Sequence, residues 1–359
     1  MQKDILAAQA IPLLKALIAI PRTSRQEAEA ADFLQQYMQE KCQLKVQRSG
    51  HNLWALSPHW EEHRPTLLLN AHIDTVKPSE AWQHNPFLPT EEGDRLYGLG
   101  TNDDGASLVC LLHVFCHLCS KEQPYNLVFL ASAEEEVGGK TGIESVLPLL
   151  PPIDVALVGE PTGMHPAIAE KGLMVLDVVA HGKAGHAARE EGVNAIYKAL
   201  PDIEWFRTHK WEKVSPLLGP VKTTVTVLHA GTQHNVIPDQ CTFLVDVRSN
   251  ECYTNEELFR YIKEHLRNEV SAHSFRLNSS HISPQHPLVK RAVELGRKPF
   301  GSPTLSDQAL MHFPSLKMGP GDSSRSHTAD EYILLSEIHE AIDFYIQLLD
   351  GLAITKRGL

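Results

Sequence analysis

The chain has 359 residues, 44 acidic against 33 basic, and a formal net charge of −11. That length suits two domains better than one core. An acidic balance with no basic stripe excludes a nucleic-acid partner, and the early apolar run at residues 13–18, broken by Lys15, is too short to span a membrane.

In chain order, the pattern predicts an amphipathic helix over residues 4–20, ended by Pro21, in place of an apolar leader. A capping box from Ser24 to Glu27 opens a second helix with Ala28, Ala31, Leu34 and Met38 on its apolar face. Short strands follow at 44–47 and 52–56. The unbroken apolar run at 66–72 suits a strand buried on both faces. Helix 107–119, strand 126–132, helix 142–149 and strand 155–158 continue the alternation, which implies a mostly parallel sheet with helices on both sides.

After about Glu170 the style changes. Strands at 173–180, 223–229 and 240–247 and helices at 194–208 and 254–266 describe a separate α+β unit. From Pro287 the first style returns, with helix 288–297, strand-like stretches at 304 and 316–318, and helix 336–349. The fold class expected is therefore α/β with an inserted α+β lid domain. The catalytic domain spans 1–170 and 282–359, and the insertion spans 171–281.

Ligands of open parallel sheets bind beyond the carboxyl ends of the strands, and here those ends carry metal-type side chains. One strand ends in His72 and Asp74, the next in Glu134, Glu135 and Glu136, and a third in Glu160. The loop before helix 107–119 holds Asp103 and Asp104, and the loop before the last helix holds Asp322 and His327. Imidazoles and carboxylates without thiolate suit a hydrolytic zinc or cobalt site more than a structural one. The six cysteines, three of them between 110 and 119, make no disulfide framework and favour a reducing, cytoplasmic setting. His113, Cys116, His117 and Cys119 have metal-like spacing but lie in an apolar helix, where cysteine packs as a small hydrophobe.

Five segments, Leu69–Asp74, Leu96–Asp103, Ala133–Gly138, Gly159–Thr162 and Gly319–His327, resemble the M20 metallopeptidase/deacylase family in content and order. The resemblance covers essentially the whole chain and is closest to the acetylornithine deacetylase branch. It implies two divalent ions, zinc or cobalt. His72 and Glu160 would hold one, Glu136 and His327 the other, and Asp103 would bridge them. It further implies Glu135 as general base and acid, with Asp74 orienting His72. One departure stands out. The family pattern Asp-x-Lys-Gly reads Asp103-Asp104-Gly105-Ala106 here, without the lysine.

In the insertion, the resemblance implies His186 as a lid histidine that stabilises the oxyanion, from its own subunit or a neighbour's. Asn235 and Arg248 would contact substrate there, and outside the insertion Arg325, two residues before His327, is a second candidate cation for a carboxylate. The activity implied is hydrolysis of an N-acyl-L-amino acid, N-acetyl- or N-succinyl-ornithine, in arginine biosynthesis, by a homodimer joined through the lid. Succinyl-diaminopimelate desuccinylase and M20 dipeptidase or carboxypeptidase activities are the alternatives within the family. A non-catalytic amino-acid-binding relative would be expected to lack a ligand or the base, and neither is missing.

Overall fold

The computed structural model describes residues 2–356, in two compact units. Unit one comprises Met1–Ile168, Ile282–Phe300 and Ser306–Leu359, and unit two comprises Ala169–His281 with Gly301–Leu305.

Unit one opens with helices α1 (Gln2–Ile18) and α2 (Ala28–Glu40). The capping box expected for α2 does not form. Glu27 occupies the N-cap without a side-chain cap bond, because Ser24 and Glu27 bond elsewhere. Strands β1 (Gln47–Ser49), β2 (Asn52–Leu56) and β3 (Thr66–His72) lead to helix α3 (Ala106–Leu118), then β4 (Asn126–Ser132) and β5 (Val155–Val158). The first strand lies later than the apolar residues Leu44 and Val46 suggest, since these pack beside the core without joining the ladder.

Unit two holds strands β6 (Met174–His181), β7 (Lys222–Ala230), β8 (Gln240–Arg248) and β9 (Glu269–Ala272), with helices α4 (Ala195–Thr208) and α5 (Asn255–His265). Its sheet is wholly antiparallel, in the order β7-β8-β6-β9. Burial alternates along β6 and β8, so Met174, Leu176, Val178, Phe243 and Val245 face one core. Ala199 and Phe206 of α4 and Leu258 and Ile262 of α5 belong to the same core. A capping box at Thr254 and Glu257 begins α5.

The chain returns to unit one with β10 (Ser315–Lys317) and α6 (Leu335–Leu349). The strand-like stretch expected around 304 falls earlier, at Phe300–Ser302. Six strands of a nine-stranded sheet run β1-β2-β4-β3-β5-β10, parallel from β4 to β10 and antiparallel at β1 and β2. Every residue of β3, β4 and β5 is buried, as both faces of a covered parallel sheet require. Among the described residues no helix is long and apolar enough to cross a membrane.

Candidate metal centre

The three central strands deliver their acids and histidine at one edge. His72 is the last residue of β3, and its Nε2 stands 3.1 Å from Asp103 Oδ1. Its Nδ1 lies 2.9 Å from the main-chain oxygen of Asp74 and 3.5 Å from the Asp74 carboxylate. An Nδ1–H donated to the carbonyl leaves the Nε2 lone pair for a ligand role. The Asp74 side chain, expected to orient His72, stands beside that nitrogen, and the backbone carbonyl of the same residue is the nearer acceptor.

The Asp74 carboxylate has other work. It accepts from Ser24 Oγ at 2.7 Å, from the Glu135 N–H at 3.0 Å and from the Glu136 N–H at 3.2 Å. It therefore fixes the tight turn beyond β4, where Glu134 and Gly138 both take left-handed backbone. Glu27 joins from the other side by accepting from the Glu134 N–H. Both residues of the missing capping box serve this turn.

Ligand atoms of His72, Asp103 and Glu160 lie within 4.8 Å of one another, and so do those of Asp103, Glu136 and His327. Asp103 belongs to both groups. Its Oδ1 faces His72, while its Oδ2 lies 3.6 Å from His327 Nε2, which also stands 2.9 Å from Glu136 Oε2. Glu135 belongs to neither group, although its carboxylate is 4.0 Å from His72 Nε2.

These side chains call for cations. Burial, and then the charges of Glu160, Asp307 and Glu136, lift Glu135 well above the usual carboxylate range against the pull of His72. Burial lifts Glu160 in the same way against Lys317, and lifts Glu136 against its bond to His327. Glu136 Oε1 is buried with no hydrogen-bond partner. Divalent ions held by oxygen and imidazole donors would satisfy that atom and offset the crowded charge, so the residues fit a pair of zinc or cobalt ions.

Several supporting residues gave no sequence signal. Glu331 is buried and accepts from the N–H groups of Gly100, Asn102 and Asp103. Arg22 is buried and donates to the carbonyls of Ile73 and Gly100. Asp307 accepts from Ser132 Oγ at 2.6 Å and Asn70 Nδ2 at 2.9 Å. A buried acid or arginine reads like a surface one until its neighbours are known. Gly105, where the family pattern has lysine, has no room for a side chain. A Cβ there would meet Gly100 O at 2.3 Å and Arg22 Nη2 at 3.2 Å.

Arg325 forks onto Glu337 at 2.7 and 3.1 Å and stacks over Tyr332 at 4.6 Å. Arg325, expected to meet a substrate carboxylate, thus has Glu337 as its fork partner here. His113 and its neighbours lie in α3, with Nδ1 donating to the Val109 carbonyl and Nε2 paired with the Tyr37 hydroxyl.

Within unit two, the two-residue strands Gly185–His186 and Val236–Ile237 pair, and the Ala187 N–H donates to the Asn235 carbonyl. His186 and Asn235 thus share one short ladder. The exposed His186 accepts the Ala188 N–H at Nδ1, which leaves Nε2 as the protonated nitrogen of the neutral ring. Arg248 ends β8 and lies against Asp246 at 2.9 and 3.1 Å.

Residues 68–351 match the description of peptidase family M20/M25/M40. The chain is 30% identical to an acetylornithine deacetylase of Pectobacterium carotovorum, over 76% of each chain. In fold it is similar to a tripeptidase from Staphylococcus aureus, with a TM-score of 0.76 at 20% identity, covering 96% of this chain and 97% of that one. It is also similar to a dinuclear metal-binding M20 peptidase of Bacillus subtilis, with a TM-score of 0.73 at 18% identity over 96% and 98%.

Proposed function

The chain belongs to peptidase family M20/M25/M40 and is a metal-dependent hydrolase of amide bonds, and on that premise we propose that it removes the acyl group from an N-acyl-L-amino acid. N-acetyl-L-ornithine is the first choice of substrate, with N-succinyl-L-ornithine next, and release of ornithine would place the step in arginine biosynthesis. The observation that carries the reading is the sharing of Asp103 by two ligand groups while Glu135 stays outside both.

His72 and Glu160 would hold one ion, Glu136 and His327 the other, with Asp103 between them. A zinc or cobalt pair, when bound, supplies Lewis-acid polarisation of the amide carbonyl. Glu135, not spent as a ligand, takes a proton from the attacking water and returns it to the leaving amine. Its carboxylate lies 4.0 Å from His72 Nε2, close to the ligand cage without joining it. His186 Nε2–H would donate to the oxyanion of the tetrahedral intermediate. Arg248 and Asn235 would orient the amino acid, the guanidinium facing its carboxylate.

We also assign homodimer formation to unit two. Among the described residues strand β7 lies at the edge of its sheet, with a ladder partner on one side, and Leu228 on it is 48% exposed. Tyr197 and Leu200 of α4 are 70% and 51% exposed and stand one helical turn apart. Sedimentation at micromolar concentration is expected to give a dimer, and a monomer that retains full activity would refute this assignment.

The test of function is a substrate panel with zinc- and cobalt-loaded enzyme: N-acetyl- and N-succinyl-ornithine, succinyl-diaminopimelate and dipeptides. The highest kcat/KM is expected on an acylated ornithine. Preference for a dipeptide would move the chain to the peptidase branch. Chelation is expected to abolish turnover, and either metal to restore it.

A further inference from the structure

The loop that carries Asp103 is held from two sides by charged groups that no ligand role explains. Glu331, 2% exposed, accepts from the N–H groups of Gly100 at 2.9 Å, Asn102 at 2.8 Å and Asp103 at 2.9 Å. Arg22, also 2% exposed, donates through Nη2 to the Gly100 carbonyl at 3.1 Å and through Nη1 to the Ile73 carbonyl at 2.5 Å. Ile73 sits between His72 and Asp74, so one guanidinium joins the end of β3 to the Asp103 loop.

The loop is wound tightly around these contacts. Gly100 takes φ of 73°, its carbonyl also accepts from the Gly105 N–H at 3.0 Å, and a Cβ on it would lie 2.7 Å from Arg22 Nη2. Asn102 extends the same anchoring to the segment of His327. Its Nδ2 donates to the Asp322 carbonyl at 3.1 Å and to Ser326 Oγ at 3.2 Å, and its Oδ1 accepts the Asp322 N–H at 3.0 Å.

We propose that Arg22 and Glu331 are positioning residues, a buried clamp that presets the Asp103 loop so that the bridging carboxylate is in place before any ion binds. The proposal rests on the reading that Asp103 bridges two divalent ions. Buried opposite charges are a poor way merely to stabilise a loop, since apolar packing avoids their desolvation. Their value here is geometric: backbone donors and acceptors meet fixed side-chain partners that hold a ligand's direction. Arg22 acts on the strand that carries His72, Glu331 acts on the residue that reaches both histidines, and together they set the spacing between the two ligand groups.

The test uses the full chain, stripped of metal by chelation and titrated with cobalt(II) alone, with the visible spectrum as readout. Wild type is expected to take up two equivalents. Arg22→Lys keeps the charge and loses the fork, and Glu331→Gln keeps the shape and loses an acceptor. Each is expected to weaken cobalt binding about 10–100-fold, the usual range for residues that orient ligands. If both variants lower Tm but bind cobalt as wild type does, the residues are merely structural and the proposal is overturned. Asp103→Asn is titrated alongside. If it binds two equivalents undiminished, the bridging reading fails instead of the clamp. Hydrogen exchange on metal-free wild type covers a variant that does not fold. The amides of residues 100–103 are expected to exchange slowly before cobalt is added, and free exchange until cobalt arrives would contradict a preset loop.

Discussion

The proposed ion ligands of unit one and the proposed substrate contacts of unit two are held in different ways. At the strand ends of unit one, Asp74 accepts two backbone N–H groups and a hydroxyl, Glu331 accepts three backbone N–H groups, and the His72 Nδ1–H is held by the Asp74 carbonyl. In unit two, the His186 ring is exposed and accepts from the N–H two residues on, while Arg248 leans on the neighbouring Asp246. The contrast follows from the chemistry. Ion ligands gain affinity from preset geometry, because buried carboxylates cannot reorganise cheaply once crowded. Groups that meet a substrate must stay open until it arrives.

The contrast can be broken at its strongest point first. Glu135→Ala is expected to lower kcat by about 10²–10⁴-fold, the usual contribution of a general base, while two metal equivalents per chain persist. Loss of an ion by atomic absorption would put Glu135 in the ligand shell. His186→Ala should cost about 10²–10³-fold in kcat with little change in KM, and an unchanged kcat would remove it from the oxyanion role. Asp74→Ala is expected to weaken metal binding about 10–100-fold in a chelator competition, because both Glu135 and Glu136 lose their backbone anchor; undiminished binding would show that the turn is self-supporting. Thr254→Ala, which removes the cap of α5, should lower stability by about 0.5–2 kcal/mol with kcat/KM unchanged. A loss of activity there would mean that the fold of unit two and its chemistry are not separable.

Much of unit one could be read from one dimension. The unbroken apolar run at Thr66–His72 reads as a strand covered on both faces and the alternation of strands and helices as a mostly parallel sheet, and Thr66–His72 and Asn126–Ser132 are parallel neighbours buried at every residue. Candidate ligands followed because strand ends are where such sheets bind. The supports were not legible, for a physical reason: Arg22, Glu331 and Asp307 act through partners 51 to 237 positions away, and no local pattern encodes that. Ser24 and Glu27 show the opposite failure. Their spacing is that of a capping box, but stronger acceptor and donor demands at Asp74 and Glu134 draw them away. The pairing of Arg325 with Glu337, one helical turn into the following segment, was not legible either, because sequence cannot rank such a fork partner against a ligand.

The central claim is that one carboxylate joins two ions at the ends of the parallel strands. Anomalous diffraction at the zinc edge, on crystals grown with zinc, tests it most directly. Two peaks about 3.5–4 Å apart are predicted, one beside His72 and Glu160, the other beside Glu136 and His327, with Asp103 reaching both. A single peak, or two with Asp103 turned away from either, would contradict the account.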